Sequence, residues 1–323
     1  MSVRPKDLNS YKKTFFPYAT EATDRIQRNG GRFAYYTTAA TALQVLRGRE
    51  LWMRNTLVMN DFMEVEHGVS CVIDAYNSSA GAALNTELEK LFPGLSEEIR
   101  SLFNAWIPGF RRDTFVTCLS EHPPDEDQYG RLSMWRAYGG AAGVALIVNG
   151  GVLFRPSTAL AAYSSPVAYL DAQAVQRELS LVASNIATNP TLLQSLGRDG
   201  AKNAVFHMLR FAAVCTKHPA FREEREWRVV ASPALESSPL LPVHIETVGG
   251  IPQKVLKIRL ADHPERSLVG LDPAALIDRV LIGPCEHSNV IGQALWQALE
   301  DAGVSDPQSK IVHTGIPLRA NQR

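Results

Sequence analysis

Short apolar runs rich in aromatic and β-branched residues alternate irregularly with longer stretches whose apolar positions recur every three to four residues. The run Phe33-Ala-Tyr-Tyr-Thr37 predicts a strand. Thr38 caps a helix over 39–46, Gly48 stops it, and 50–54 reads as a second short strand. A helix starting at Asn60 or Asp61 runs to about Tyr76, and another covers about 87–106. A strand at 114–120 leads into the acidic, proline-containing loop 121–127, expected at the surface. A short helix at 132–138 ends at Gly139-Gly140, and strands follow at 143–148 and 166–170. The longest helical stretch, 171–214, is broken near Asn189-Pro190. Strands at 226–231, 253–260, 277–282 and 310–313 and a helix at 289–301 complete the pattern.

This order does not alternate strand and helix regularly, so a doubly wound parallel sheet is disfavoured. An α+β class is expected, with a mixed or antiparallel β core and a helical insert at 171–214. Residues 1–30 read as an N-terminal arm with a short helix near 21–28, and residues 31–323 as one domain.

Composition narrows this further. At 323 residues, with 45% hydrophobic and 20% charged positions, the chain can bury a large core without staples, and disorder over most of its length is excluded. Lys+Arg and Asp+Glu both count 33, so the net charge is zero and the broad electrostatic footprint of a general DNA binder is missing. A local basic pocket for one phosphate remains open. The four cysteines stand far apart without a CxxC pair, which argues against a zinc ribbon and for reduced thiols in a cytosol. No apolar leader segment and no run of about 18 apolar residues is present, so the expectation is a cytoplasmic protein without a membrane span.

Three constellations could carry chemistry. On a strand, Glu226 and Arg228 share one face while Trp227 takes the other. With Glu224 just ahead, this places a carboxylate where it could orient a ribose hydroxyl or act as a general base. The structural alternative is a salt-bridged strand with Trp227 in the core. Trp135 and Tyr138 share one helix face with Arg131 one turn earlier, a platform for a base or nicotinamide ring, or ordinary core. Asn60, Asp61 and Glu64, with Glu66 and His67 beyond, offer hard ligands suited to Mg or Mn, or simply a helix cap. Cys118 reads as buried and inert, and Cys215-x-x-His218 lacks a partner pair. No G-x-S-x-G elbow, Walker loop or H-E-x-x-H box occurs, and Gly139-Gly140-x-x-Gly143 follows a helix, the wrong order for a dinucleotide fingerprint.

Taken in order, Tyr35-Tyr36-Thr37-Thr38, Asn60-Asp61-Phe62-Met63-Glu64, Cys118-Leu119-Ser120, Trp135-Arg136-Ala137-Tyr138 with Gly143, and Glu224-Arg225-Glu226-Trp227-Arg228 resemble a widespread, uncharacterised bacterial family of unknown function. The closing stretch 311–319 resembles that family's end, so the likeness covers about 33–319. Phe62 stands where the family has proline, and 171–214 is hard to match. The layout in turn resembles the ADP-ribosyltransferase superfamily, whose split sheet carries a polar residue on its first strand, Ser or Tyr at the end of a central strand, and a late E-x-E. By that resemblance Tyr36 or Thr37 is the first-strand residue, Ser120 ends the central strand, and Glu226, with Glu224 upstream, is the catalytic glutamate. Tyr138 or Trp135 would stack on nicotinamide, and Arg131 or Arg228 would hold the pyrophosphate. The resemblance implies an NAD-consuming toxin or phage-defence effector that acts on a protein, nucleic-acid or small-molecule acceptor, with an antitoxin or immunity partner. Two other functions stay open: a Mg- or Mn-dependent nuclease or hydrolase using Asp61, Glu64 and Glu226, and a non-catalytic ligand-binding or sensor module.

Overall fold

Local signals set most element boundaries in the computed structural model, which describes residues 5–59, 64–155 and 157–317. The chain begins with helices α1 (Pro5–Phe15) and α2 (Pro17–Arg28), strand β1 (Arg32–Thr38), α3 (Ala39–Gly48) and β2 (Glu50–Asn55). Next come α4 (Glu64–Tyr76), α5 (Ser79–Leu91), α6 (Leu95–Arg112), β3 (Phe115–Glu121), α7 (Leu132–Tyr138), β4 (Gly143–Asn149), α8 (Gly151–Phe154), β5 (Ala162–Pro166) and β6 (Ala168–Tyr169). The remainder is α9 (Ala172–Thr188), α10 (Pro190–Val214), β7 (Thr216–Lys217), β8 (Glu226–Ala231), β9 (Val243–Val248), β10 (Ile251–Arg259), α11 (Pro273–Leu276), β11 (Ile277–Ile282), α12 (Ser288–Asp301) and β12 (Ile311–His313).

The Thr38 hydroxyl accepts from the Thr41 amide at 3.2 Å and starts α3 as expected. The stop differs. Gly48 is the last helical residue, and Arg49 takes the left-handed conformation (φ 48°) that closes the helix. The single helix expected over 87–106 is two, because Pro93-Gly94 breaks the pattern and Gly94 sits at φ 82°. The break at Asn189-Pro190 is present, since Asn189 ends α9 and Pro190 opens α10. Residues 5–28, read as an arm, form α1 and α2. Their polar average hid an apolar stripe that includes Phe15, Ala22 and Ile26, all buried.

The fold is α+β, and its contacts group into two units. The first unit comprises residues 1–24, 56–114 and 165–222, and its described residues are mainly helical, with the parallel pair β6–β7. There α4 packs on α9 and α10, and α5 and α6 complete the layer, so the stretch at 171–214 shares its core with helices from earlier in the chain. Close approach is built in at Gly68, where a Cβ would lie 2.0 Å from the Ala213 carbonyl oxygen.

The second unit, residues 25–55, 115–164 and 223–323, holds a ten-stranded mixed sheet in the order β12-β11-β4-β1-β3-β2-β10-β9, with β8 on β3 and β5 on β8. Registered pairs are antiparallel except β11–β12. β8 pairs along β3 from Phe115↔Ala231 to Ser120↔Glu226. On the ladder's other side β1 meets only Glu121 and Ser120, and β2 meets only Val116 and Phe115. The sheet is therefore split along β3. One face is filled by Met53, Phe115, Val229, Leu256 and Ile258, and the other by Ala34, Tyr36, Met134, Trp135, Ala145, Ile147 and Leu281. Among the described residues no helix is long and apolar enough to cross a membrane.

Candidate functional site

Register decides which side chains meet. Ala34 faces Ser120 across β1 and β3, and Ser120 faces Glu226 across β3 and β8, with Cys118 opposite Arg228. Alternation then puts Tyr36, Ser120, Glu226 and Arg228 on one face of the sheet. Trp227 turns to the other face, as its neighbours predict, where its ring lies 5.2 Å from Phe33 and 5.7 Å from Phe154. Thr37 also belongs to that other face, beside Tyr35, and does not join the cluster around Ser120.

The short helix α7 covers the polar face. Trp135 meets Tyr36 edge-on with ring centroids 4.8 Å apart, and its indole donates to the Tyr129 carbonyl at 2.7 Å. It is 3% exposed, and Cβ atoms at Gly143 and Gly283 would come within 3.1 and 2.7 Å of its ring. Trp135 is therefore a core side chain whose faces are occupied. Tyr36 accepts from the Arg131 amide at 2.9 Å, and burial pushes its phenol up to about 12.

Arg131 stands at the N-cap of α7 and ties three segments together. Nη1 donates to Ser120 Oγ and the Glu223 carbonyl, each at 2.8 Å, and to the Glu224 carbonyl at 3.2 Å. Nη2 reaches the Glu121 carbonyl at 2.9 Å, and Nε and Nη2 both hold the Glu126 carboxylate. Ser120 donates to the Glu224 carbonyl. The planar fork of an arginine suits this many-sided contact and an ammonium does not. The same contacts occupy every donor edge of the guanidinium, so Arg131 fixes the entry to β8 and is not placed to hold a pyrophosphate.

The two glutamates of the E-x-E box stand in different surroundings. Glu226 is buried and meets Arg228 at 2.7 Å from Nε and 3.2 Å from Nη2, with Arg228 only 1% exposed. Glu224 is half-buried, and its Oε1 accepts from the Tyr138 hydroxyl at 3.2 Å. Arg225 between them adopts φ 43°, a left-handed turn that separates the two carboxylates before the strand begins.

The loop expected at the surface contributes what sequence reading missed. His122 is 1% exposed, with Nε2 2.9 Å from Asp127. Burial holds its imidazole below the ordinary histidine range, against the pull of Asp127 and Glu126. Arg32 bridges Asp127 and Asp278, and Arg279 also reaches Asp127. Glu126 anchors both Arg131 and Arg225. A histidine directly after a strand and ahead of two prolines was the available signal.

Asn60 and Asp61 lie outside the described residues, as does the Glu64 side chain, although Glu64 opens α4 in the helical unit. Among the described residues no group of three His, Cys, Asp or Glu side chains is arranged to hold a metal. Cys118, expected to be buried, is partly exposed.

A family model described as a protein of unknown function (DUF2971) matches residues 134–229. This agrees with the resemblance to a family of unknown function. The match opens one residue before Trp135 and closes one after Arg228, so it contains the W-x-x-Y and E-x-E-W-R boxes and leaves out β1, β3 and the Asn60 box. Neither the curated proteins nor the solved structures give a match.

Proposed function

We propose that the solvent-reached edge of this cluster, where Tyr138 of α7 meets Glu224 ahead of β8, receives a nucleotide-type ligand, and that the chain is an NAD-consuming, ADP-ribosyltransferase-like enzyme. The observation that carries this reading is the unequal pair on the E-x-E box. A half-buried Glu224 touches the Tyr138 hydroxyl, beside a buried Glu226 held by Arg228. Only a carboxylate that solvent reaches can meet a ribose hydroxyl, so Glu224 is the working group, while Glu226 with Arg228 holds the start of β8. Further support comes from the split of the sheet along β3 and from Ser120 at the end of that strand. In the reaction, the bond between the ribose C1′ and the nicotinamide nitrogen breaks, and its electron pair leaves with nicotinamide. Glu224 stabilises the positive charge growing on the ribose, and an acceptor nucleophile then bonds C1′ and loses its proton. Tyr138 orients Glu224 and offers its ring to nicotinamide.

A second reading is a binding module without turnover, favoured by the closed Glu226–Arg228 pair and the fully engaged Arg131. Calorimetric titration with NAD, followed by assay of nicotinamide release, separates the two. Release that is lost in Glu224→Gln supports the enzyme, NAD binding without release supports the module, and no binding to folded protein overturns both. A requirement for Mg or Mn that a chelator abolishes would point instead to the hydrolase. A toxin or phage-defence setting, with an antitoxin or immunity partner, follows from the resemblance and is tested by growth arrest on induction, relieved in Glu224→Gln.

A further inference from the structure

β9 is the terminal strand of the large sheet, paired with β10 on one edge. Its sequence, Val-His-Ile-Glu-Thr-Val, has none of the proline, glycine or lysine residues that usually blunt a sheet edge. Alternate residues are exposed, among them Val243 at 47% and Ile245 at 68%. A soluble monomer seldom leaves a β-branched row open beside an edge that is free to form hydrogen bonds.

The hairpin geometry fixes which backbone groups face outward. Gly249 and Gly250 form a two-residue turn with φ 58° and 81°, and Val248 is registered against Ile251. In such a hairpin the closing pair is hydrogen-bonded, so the amides of 244, 246 and 248 serve β10 and those of 243, 245 and 247 point away. An antiparallel copy of the same strand fits that edge when outward-facing residues oppose outward-facing residues, so the twofold axis passes through one strand residue, outward- or inward-facing. Centring on Ile245 opposes Val243 to Thr247 of the copy and Ile245 to itself, all through outward amides. It also sets His244 against Glu246 of the copy on the other face. Glu246 engages Lys257 through Oε1 at 2.7 Å, which leaves its second oxygen for the histidine. Centring on Val243 or Thr247 shortens the ladder, centring on His244 or Glu246 opposes that side chain to itself, and all four lose both His–Glu pairs.

We propose that β9 is a self-association surface, on which two copies of this chain join their sheets antiparallel across a twofold axis at Ile245. The partner is an identical β9 edge, recognised by a β-branched row and by reciprocal histidine–glutamate pairs. The interface is isologous and closes at two copies.

Sedimentation velocity on the full chain tests this, with four variants. The wild type is expected to be a concentration-dependent dimer. Ile245→Pro should weaken it at least about tenfold while leaving circular dichroism unchanged, because the lost amide serves no bond to β10. His244→Glu opposes like charges and should also weaken the dimer. Ile245→Cys should cross-link under a mild oxidant, since opposed residues sit about 5.5 Å apart, whereas Val243→Cys should not, since its copies lie roughly 13 Å apart. A monomer at every concentration would overturn the proposal. So would a dimer that survives Ile245→Pro, or Val243→Cys cross-linking as readily as Ile245→Cys.

Discussion

The hydroxyl of Tyr138 and the carboxylate of Glu224 lie 3.2 Å apart, although 86 positions separate them in the chain. This contact joins the only two motif boxes that the family match contains, and it is the part of the cluster that solvent reaches. Tyr138→Phe removes the hydroxyl and keeps the ring. NAD affinity should then fall only a few-fold, while the rate of nicotinamide release should fall about ten- to a hundredfold as Glu224 loses its orientation. Titration calorimetry and single-turnover assays separate the two, and a loss confined to affinity would count against an orienting role.

Arg131 makes a different prediction, because its task is to hold β3, α7 and the start of β8 together. Arg131→Lys keeps the charge and gives up the fork. The variant should be destabilised by about 3 kcal/mol, since several carbonyls and the Glu126 carboxylate lose a charged donor. Urea denaturation measures this, and a change under about 1 kcal/mol would show the clamp to be incidental.

His122 links stability to pH. Its folded-state value is lowered by burial, so below the ordinary value of 6.5 the unfolded chain binds the proton more readily. Stability is therefore at its full level above about pH 6.5 and declines as pH falls below it. Asp278 is also lowered, since the Arg32 hydrogen bond and charge outweigh burial, and its contribution disappears only below the ordinary 3.8. Denaturation midpoints from pH 8 to 5 should fall in the wild type and stay flatter in His122→Gln.

Glycine spacing gives the sharpest contrast in stability. Gly68→Ala would drive a Cβ to 2.0 Å from the Ala213 carbonyl oxygen and should cost about 3 kcal/mol or prevent folding. Gly48→Ala, exposed at the end of α3 with nothing within 4 Å, should be neutral or slightly stabilising. Thermal melts of the two variants check this, and similar melting temperatures would refute the close helix approach.

Much of the large sheet was legible because its strands are short, β-branched and bounded by turn residues. The ranges 226–231, 277–282 and 132–138 coincide with β8, β11 and α7. β9 escaped because half its residues are polar or charged and its apolar positions face outward, so no buried stripe marks it. α1 and α2 escaped because a few buried residues are diluted by charged neighbours. In the site, alternation was enough to oppose Trp227 to Glu226 and Arg228. It could not show that Arg131 is saturated or that Trp135 is walled in. Those facts come from carbonyls and glycines on other segments, and residue patterns carry no record of them. Of the two first-strand candidates, alternation puts Tyr36 on the face of Ser120 and Thr37 on the other.

The split along β3 has a consequence for how the chain can be made. β1 borders β4 and β3, and β3 borders β8, so β4 and most of β8, inside the family match, flank two strands outside it. A fragment cut at 134 and 229 would carry β4 and most of β8, the outer strands of that quartet, and neither inner one. During synthesis β1 and β3 leave the ribosome early, yet the long edge of β3 stays open until Glu226 to Ala231 have been added. Pairing at such sequence distance is slow, and an open strand in a nascent chain is a target for aggregation. Yield of folded protein should therefore depend on elongation rate and on chaperone supply, and the span that the family match outlines should not fold by itself.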